Sequence, residues 1–509
     1  MYPGKWAKTQ PDHPAVIMSD TGQTLTFREL NERSIRLSHW FHEQGLRHGD
    51  VVALLSTNSV EYFEVYWAAV RSGLYLTAIN FHLLPGEVGY ILNDCQATAL
   101  VASADLAELA TSALAQAPTV CAKLAYKGSI EGFEDYEQTL QAQPTEELAE
   151  HRSGRTMLYS SGTTGRPKGV RLAFSGLNVE DDTDGGLAVM AEIFGFDTDT
   201  RYLSPAPLYH AAPLRYSARI QAYGGTVISM PKFDAEEALR LIEKYKITHS
   251  QWVPTMFVRM LKLPEEVRAK YDVSSLKIAI HAAAPCPRDV KAAMIDWWGP
   301  VLWEYYAGSE SNGSTLINSE QWLQKPGSVG KAAAGELHVC DQDGNELPTG
   351  EVGKVYFEQE VVEFEYFNDP EKTAASRHPA HDNWSAIGDL GYVDEDGFLF
   401  LAERQSFVII SGGVNIYPQE IEDALVLHPS VYDAAIIGVP NPDFGEEVKA
   451  VIQLEAGVPP TDETREALME HLRAHVASFK LPRSIDFIDD LPRTPTGKLR
   501  KHEIRKSFV

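Results

Sequence analysis

Short apolar runs alternate with amphipathic stretches along the first two thirds of the chain. Val51-Val52-Ala53-Leu54-Leu55 has the length of a strand, and the segment from Glu61 to Ser72 after it has helical spacing. Ala99-Leu100-Val101 precedes an Ala/Leu-rich helical stretch, and Gly225-Thr226-Val227-Ile228-Ser229 precedes a predicted helix from Ala235 to Tyr245. This rhythm predicts an α/β fold of layered, largely parallel sheets. Near Gly335 the pattern becomes strand-rich and turn-punctuated, with Asp341-Gln342-Asp343-Gly344-Asn345 and Asp394-Glu395-Asp396-Gly397 as hairpin turns. A final section has its own small α+β pattern, with Pro440-Asn441-Pro442-Asp443-Phe444-Gly445 read as a loop inside it. The expected division is a large N-terminal domain with a β-rich subdomain over 1–403, then a small α+β domain over 404–509.

A chain of 509 residues, 44% hydrophobic and 23% charged, is globular and too long for one core. Its net charge of −26 argues against binding nucleic acid or coating acidic membrane, both of which need basic surface. Only the C-terminus, from Lys480 to Lys506, is locally basic, which reads either as a solvated tail or as part of a site. Cys95, Cys121, Cys286 and Cys340 have no C-x-x-C spacing, so neither zinc nor a disulfide framework is suggested. With no long apolar run and no signal-like N-terminus, the expectation is a soluble, cytoplasmic protein.

The chemistry concentrates first in Tyr159-Ser160-Ser161-Gly162-Thr163-Thr164-Gly165-Arg166-Pro167-Lys168-Gly169-Val170. Glycines let the backbone turn its N–H groups toward an anion. Ser160, Ser161, Thr163 and Thr164 add hydroxyl donors, and Lys168 adds a charge. The alternative is a flexible surface loop, which rarely runs through Pro-Lys-Gly-Val into an apolar strand. The spacing is not G-x-x-x-x-G-K-[ST], which removes P-loop kinases and ATPases.

Further motifs follow in order. Glu304-Tyr305-Tyr306-Ala307-Gly308-Ser309-Glu310 gathers two aromatics, a hydroxyl and a carboxylate. Trp384-Ser385-Ala386-Ile387-Gly388-Asp389-Leu390-Gly391 presents an Asp on a Gly-flanked turn, Glu403-Arg404 comes next, and Pro492-Arg493-Thr494-Pro495-Thr496-Gly497-Lys498 ends on a lysine. From Leu25-Thr26-Phe27-Arg28-Glu29-Leu30 to Lys498 the chain resembles the adenylate-forming superfamily. Pro207-Leu208-Tyr209-His210 and Ser411-Gly412-Gly413-Val414-Asn415-Ile416-Tyr417-Pro418 are similar to its acyl-CoA synthetase branch. Departures are Ser309 for the usual Thr, Ile387 before Gly-Asp, and Ser406 at the usual hinge position. The last two bear on phosphate contact and hinge control.

The resemblance implies a two-step ligase: a carboxylate attacks ATP to give acyl-AMP and pyrophosphate, and coenzyme A then takes the acyl group and releases AMP. It assigns Lys498 to bridging carboxylate and phosphate, Glu310 to Mg²⁺, and Ser160, Ser161, Gly162, Thr163, Thr164, Lys168 and Ser309 to the nucleotide phosphates. Asp389 and Arg404 would bind ribose and phosphate; an Asp–Arg salt bridge is the competing reading. Tyr306 would stack on adenine, with Ala283 and Ala284 against it, unless Tyr306 is simply core. His210, Trp252 and Gly308 would border the acyl group, with His210 orienting or gating, and a core histidine is its alternative. Gly412 and Gly413 would pass the pantetheine arm, or form a plain turn. A mobile C-terminal domain, hinged at 404–406, would present Lys498 and the glycine loop in turn.

The implied partners are a small-molecule carboxylic acid, ATP and coenzyme A, with a homodimer as an open assembly. The segment from Tyr202 to Ser229 has no Asp or Glu to hold a substrate ammonium, which disfavours amino acids. Tyr216, Trp252, Met256 and Phe257 suit a fatty, aryl or steroid-like acid, or equally a core. Arg215 and Arg219 read as a helix surface, or as contacts for a second carboxylate or a coenzyme A phosphate. The alternatives in function are a ligase loading a carrier protein and a nucleotide-binding regulator without chemistry.

Overall fold

Strand Val51–Leu55 shows why the first part of the chain layers. All its residues are buried; Val52 and Leu54 join one hydrophobic core, while Val51, Ala53 and Leu55 join another on the opposite face. A strand that is apolar on both faces needs cover on both. The computed structural model describes residues 2–160, 167–182, 185–404, 407–411, 414–442, 444–493 and 499–508, without the side chains of 160, 185–189, 403, 404 and 415.

Two large sheets form the N-terminal part. In the nine-stranded sheet, Pro14–Met18, Thr226–Ser229, Arg201–Ser204, His249–Trp252, Ile278–His281 and Leu302–Ala307 run parallel, with antiparallel strands at both edges. The eight-stranded sheet has a parallel centre of Arg155–Ser160, Tyr75–Ile79, Val51–Leu55, Ala97–Ser103 and Ala122–Tyr126. Strand Lys168–Leu172 turns back antiparallel on Arg155–Ser160, and Phe364–Tyr366 pairs with it at the sheet edge.

Helices Phe27–Glu43, Val60–Arg71 and Ala211–Ala222 share one core with the inner faces of both sheets. Helix Val60–Arg71 is buried nearly all round, as a helix between two layers must be. Its Glu64 is satisfied by Arg33 (2.7 Å) and the Tyr136 hydroxyl (2.7 Å). Outer helices such as Ala235–Tyr245, which Asp234 caps through the Glu237 N–H (2.8 Å), cover the other faces.

Strands Glu336–Cys340, Gly353–Glu358, Trp384–Ser385, Asp389–Val393 and Leu399–Arg404 make the β-rich sheet, with the expected turns at 341–345 and 394–397. The last sheet begins at Ile409 and carries its own core. The segment at 440–445 is tighter than the expected loop: strand Val431–Asn441 pairs with Gly445–Leu454 as far as Asn441 opposite Gly445, so only the hairpin tip remains. The basic C-terminus is not a solvated tail either, because Arg493 pairs with Asp433, Lys501 with Glu422 (2.9 Å) and Arg505 with Glu446 (2.7 Å). No helix among the described residues is long and apolar enough to cross a membrane.

Candidate active site

The strand ends of both sheets, the β-rich sheet and the last domain border one continuous cleft of about 2420 Å³. Ligands of open α/β sheets sit outside the carboxyl ends of parallel strands. Strand Leu302–Ala307 delivers Tyr306 there, and the chain then turns so that Glu310 points back, only 9% exposed. Glu310 Oε1 accepts from the Tyr366 hydroxyl at 2.8 Å. A Cβ on Gly308 would lie 2.6 Å from Glu310 Oε2 and 2.9 Å from Ile387 Cδ1, so any side chain here would displace the end of the Glu310 carboxylate. Ile387, where the resemblance would place a threonine, therefore packs on the turn that aims the carboxylate.

The Tyr306 hydroxyl donates to Asp389 Oδ2 at 2.7 Å, and its ring stacks on Phe357 with centroids 6.1 Å apart. Asp389, itself buried, stands directly opposite Arg404 in the antiparallel pair, so register brings the two predicted ribose residues together. Ala283 follows strand Ile278–His281 with φ +77, a left-handed conformation unusual for alanine. Ala283 and Ala284 both border the cleft. Beneath them Lys291 and Glu304 form a buried ion pair (2.5 Å). Burial, and then the Lys291 charge, pull His281 well below the ordinary histidine range, so its imidazole is neutral beside Ala283.

At the other end of the cleft, Asn58 fixes the loop that carries His210. Its side chain donates to the carbonyls of Ala206 (3.1 Å) and Met230 (2.8 Å) and accepts from the Leu208 N–H (2.9 Å). His210 lies at the N-cap of helix Ala211–Ala222, its ring 4.5 Å from that of Tyr209, and borders the cleft. Arg215 joins this helix to the Glu310 turn by donating to the Ser309 carbonyl (3.4 Å), Ser311 Oγ (3.3 Å) and Thr156 Oγ1 (3.2 Å). Arg219 is only 8% exposed, so the expected helix surface is wrong for it, and the half-buried Arg215 borders the cleft.

Trp252 borders the cleft but lies mostly in the core. Its ring is buried against Phe257 and Trp298, and its indole N–H donates to Ser250 Oγ (2.7 Å), so its bulk serves the core. Met256 and Phe257 join it in that core. Tyr216 is buried but borders the cleft, stacked on Tyr305.

Lys168 opens strand Lys168–Leu172 and pairs with Asp369 at 2.7 Å. Ser161, Gly162, Thr163, Thr164, Ser406, Gly412, Gly413 and Lys498 lie outside the described residues, as do the side chains of Ser160 and Arg404. Their neighbours Tyr159, Pro167, Phe407, Arg493 and Leu499 border the cleft. Tyr366, Asp369 and Lys372 were not singled out from sequence. They come from the segment Phe364–Tyr366 and the helix after it, and only the strand pairing across to Val170 brings them here. Tyr366→Phe should raise the Mg-ATP requirement about tenfold, about 1.5 kcal/mol for a bond to a carboxylate, with little change in the melting midpoint. Steady-state kinetics over Mg²⁺ concentration would check this, and an unchanged Mg²⁺ dependence would refute it.

The family described as AMP-binding enzyme matches residues 4–367, and the AMP-binding enzyme C-terminal domain matches 420–498. A feruloyl-CoA synthase from Amycolatopsis sp is 32% identical, covering 100% of this chain and 98% of its own. The fatty-acid acyl-carrier-protein ligase ScoC from Streptomyces coeruleorubidus is 33% identical over 99% and 95%. An anthranilate CoA ligase, solved with anthranoyl-AMP, superposes with a TM-score of 0.85 at 26% identity, covering 99% of this chain and 96% of that one.

Proposed function

Because the chain belongs to the family of AMP-binding enzymes, we propose which of its residues perform each half of the acyl-CoA synthetase reaction and what kind of acid they serve. The reaction itself is ATP-dependent acid–CoA ligation: carboxylate and ATP give acyl-AMP and pyrophosphate, and coenzyme A then gives acyl-CoA and AMP. The convergence of Glu310, Tyr306, Asp389 and Ala283 on one cleft, shared with the His210 loop, carries the assignment.

In the first half an anion must approach a polyanion, so the work is positioning and charge neutralisation. Asp389, held by Tyr306, accepts from the ribose hydroxyls; the left-handed turn at Ala283 lays backbone against adenine. Ser160, Ser161, Gly162, Thr163, Thr164 and Lys168 take the phosphates. Glu310 fits Mg²⁺, because its Tyr366 bond occupies only part of the acceptor capacity of a fixed carboxylate. When bound with the nucleotide, that cation would offset phosphate charge. Lys498 bridges the attacking carboxylate and the α-phosphate. In the second half, rotation about 404–406 brings Gly412 and Gly413 in to pass the pantetheine thiol. Gly308 and His210 border the reacting carboxyl group.

The acyl group is elongated and mainly apolar, a fatty or steroid-like acid in preference to a small benzoate, although Arg215 and Arg219 of helix Ala211–Ala222 also border the cleft. From His210 the cleft follows helix Ala211–Ala222 for roughly 16 Å. Tyr66, Trp67, Val70, Ala218, Ala222 and Tyr223 line that stretch. Carboxylate-dependent pyrophosphate release with Mg-ATP, over short, medium and long fatty acids, benzoates, cinnamates and sterol-derived acids, tests this. Release should be strongest with long or sterol-derived acids and should yield thioester when coenzyme A is present. A clear preference for benzoate would refute the acyl class, and thioester formed only on a carrier protein would refute the acceptor.

A further inference from the structure

Lys372 stands on the short helix Pro370–Ala375, just past Asp369. Asp369 does two things at once: one carboxylate oxygen accepts from the Lys372 backbone N–H (3.0 Å), and the other pairs with the Lys168 ammonium (2.7 Å). The Lys372 side chain folds over the Tyr366 ring, its Nζ 4.9 Å from the centroid, and Tyr366 is the residue that holds Glu310. The ammonium borders the cleft. Among the described residues no carboxylate lies within ion-pair distance of it, although Asp369 and Glu310 are close by. Burial first, and then the neighbouring Lys168 charge, pull this amine below the ordinary lysine range.

Two ammonium groups side by side repel, and half-burying one of them adds a desolvation cost. Asp369 makes its ion pair with Lys168, and reaches Lys372 only through the longer-range attraction of its charge. The arrangement is favourable once an anion with several oxygens lies between the two ammonium groups, and Lys372 is the member of the pair that borders the cleft. We propose that Lys372 and Lys168 together form the subsite for the terminal phosphates of ATP and for the pyrophosphate that leaves. This rests on the adenylation reading above. As the acid oxygen bonds to the α-phosphorus, the bond to the bridging oxygen breaks and its electron pair goes to pyrophosphate. Lys372 then meets charge that is growing, which is where a cation lowers a barrier.

The test is calorimetric titration of magnesium pyrophosphate and, separately, AMP into full-length wild type, Lys372→Met and Lys372→Arg. The methionine variant should bind pyrophosphate about tenfold more weakly or worse, keep AMP within about twofold, and be largely rescued by arginine. In turnover, its KM for ATP should rise while thioesterification of supplied acyl-AMP is unchanged. Equal pyrophosphate affinity in wild type and Lys372→Met, a matching loss of AMP affinity, or no pyrophosphate binding by wild type would overturn the proposal. If wild type binds pyrophosphate but never turns over ATP with any acid, the ligase reading fails, and the binding comparison still decides the role of Lys372.

Discussion

Lys498→Ala should slow acid-dependent release of pyrophosphate by a factor of about 10² to 10³ or more, while coenzyme A still converts supplied acyl-AMP at close to the wild-type rate. The asymmetry follows from where charge moves. Adenylation brings a carboxylate onto a triphosphate and needs a cation that touches both; thioesterification expels AMP from a neutral carbonyl. The flanking residues Arg493 and Leu499 pair as a β-bridge and border the cleft. Single-turnover measurement of the two halves separates the outcomes. Equal loss of both would mean that the substitution damages the domain and not one step.

A second large effect is expected at Asp389. Replacement by alanine removes the proposed acceptor for the ribose hydroxyls and leaves the Tyr306 hydroxyl without its 2.7 Å partner. Two hydrogen bonds to a charged group, at about 1.5 kcal/mol or more each, correspond to a rise in KM for ATP of about 10²-fold. The loss should depend on the nucleotide. Wild type should discriminate strongly between ATP and its 3′-deoxy analogue, and Asp389→Ala should treat them nearly alike. A variant that keeps wild-type discrimination would show that Asp389 only supports Tyr306 and does not touch ribose.

How much of this could be read beforehand depended on how local the signal was. Strands such as Val51–Leu55 and helices such as Ala235–Tyr245 were legible because their apolar pattern is complete within a dozen residues. Tyr306, Glu310 and Asp389 were legible because glycines and acids cluster around them in order. Trp252, Met256 and Phe257 were ambiguous for the opposite reason: an aromatic after a parallel strand can face cleft or core, and the Trp298 ring that decides it lies far along the chain. Arg215 and Arg219 misled because charge on a helix reads as surface, whereas here the helix lies between two sheets. Lys372 was silent because its setting is made by strand pairing between residues almost two hundred positions apart.

That pairing also limits how the protein can be divided. Strand Phe364–Tyr366 arises within the β-rich stretch of the chain yet closes the edge of the eight-stranded sheet, against Lys168–Leu172. A fragment cut near residue 335 would keep every parallel strand of the two large sheets but lose this cover. The Lys168–Leu172 backbone would then stand open to strands of other molecules, and Glu310 would lose the Tyr366 hydroxyl that aims it. Modularity in this chain therefore does not follow the order of its sheets. A shortened protein that stays soluble and still binds nucleotide would have to end after the helix Pro370–Ala375, or supply a substitute strand of its own.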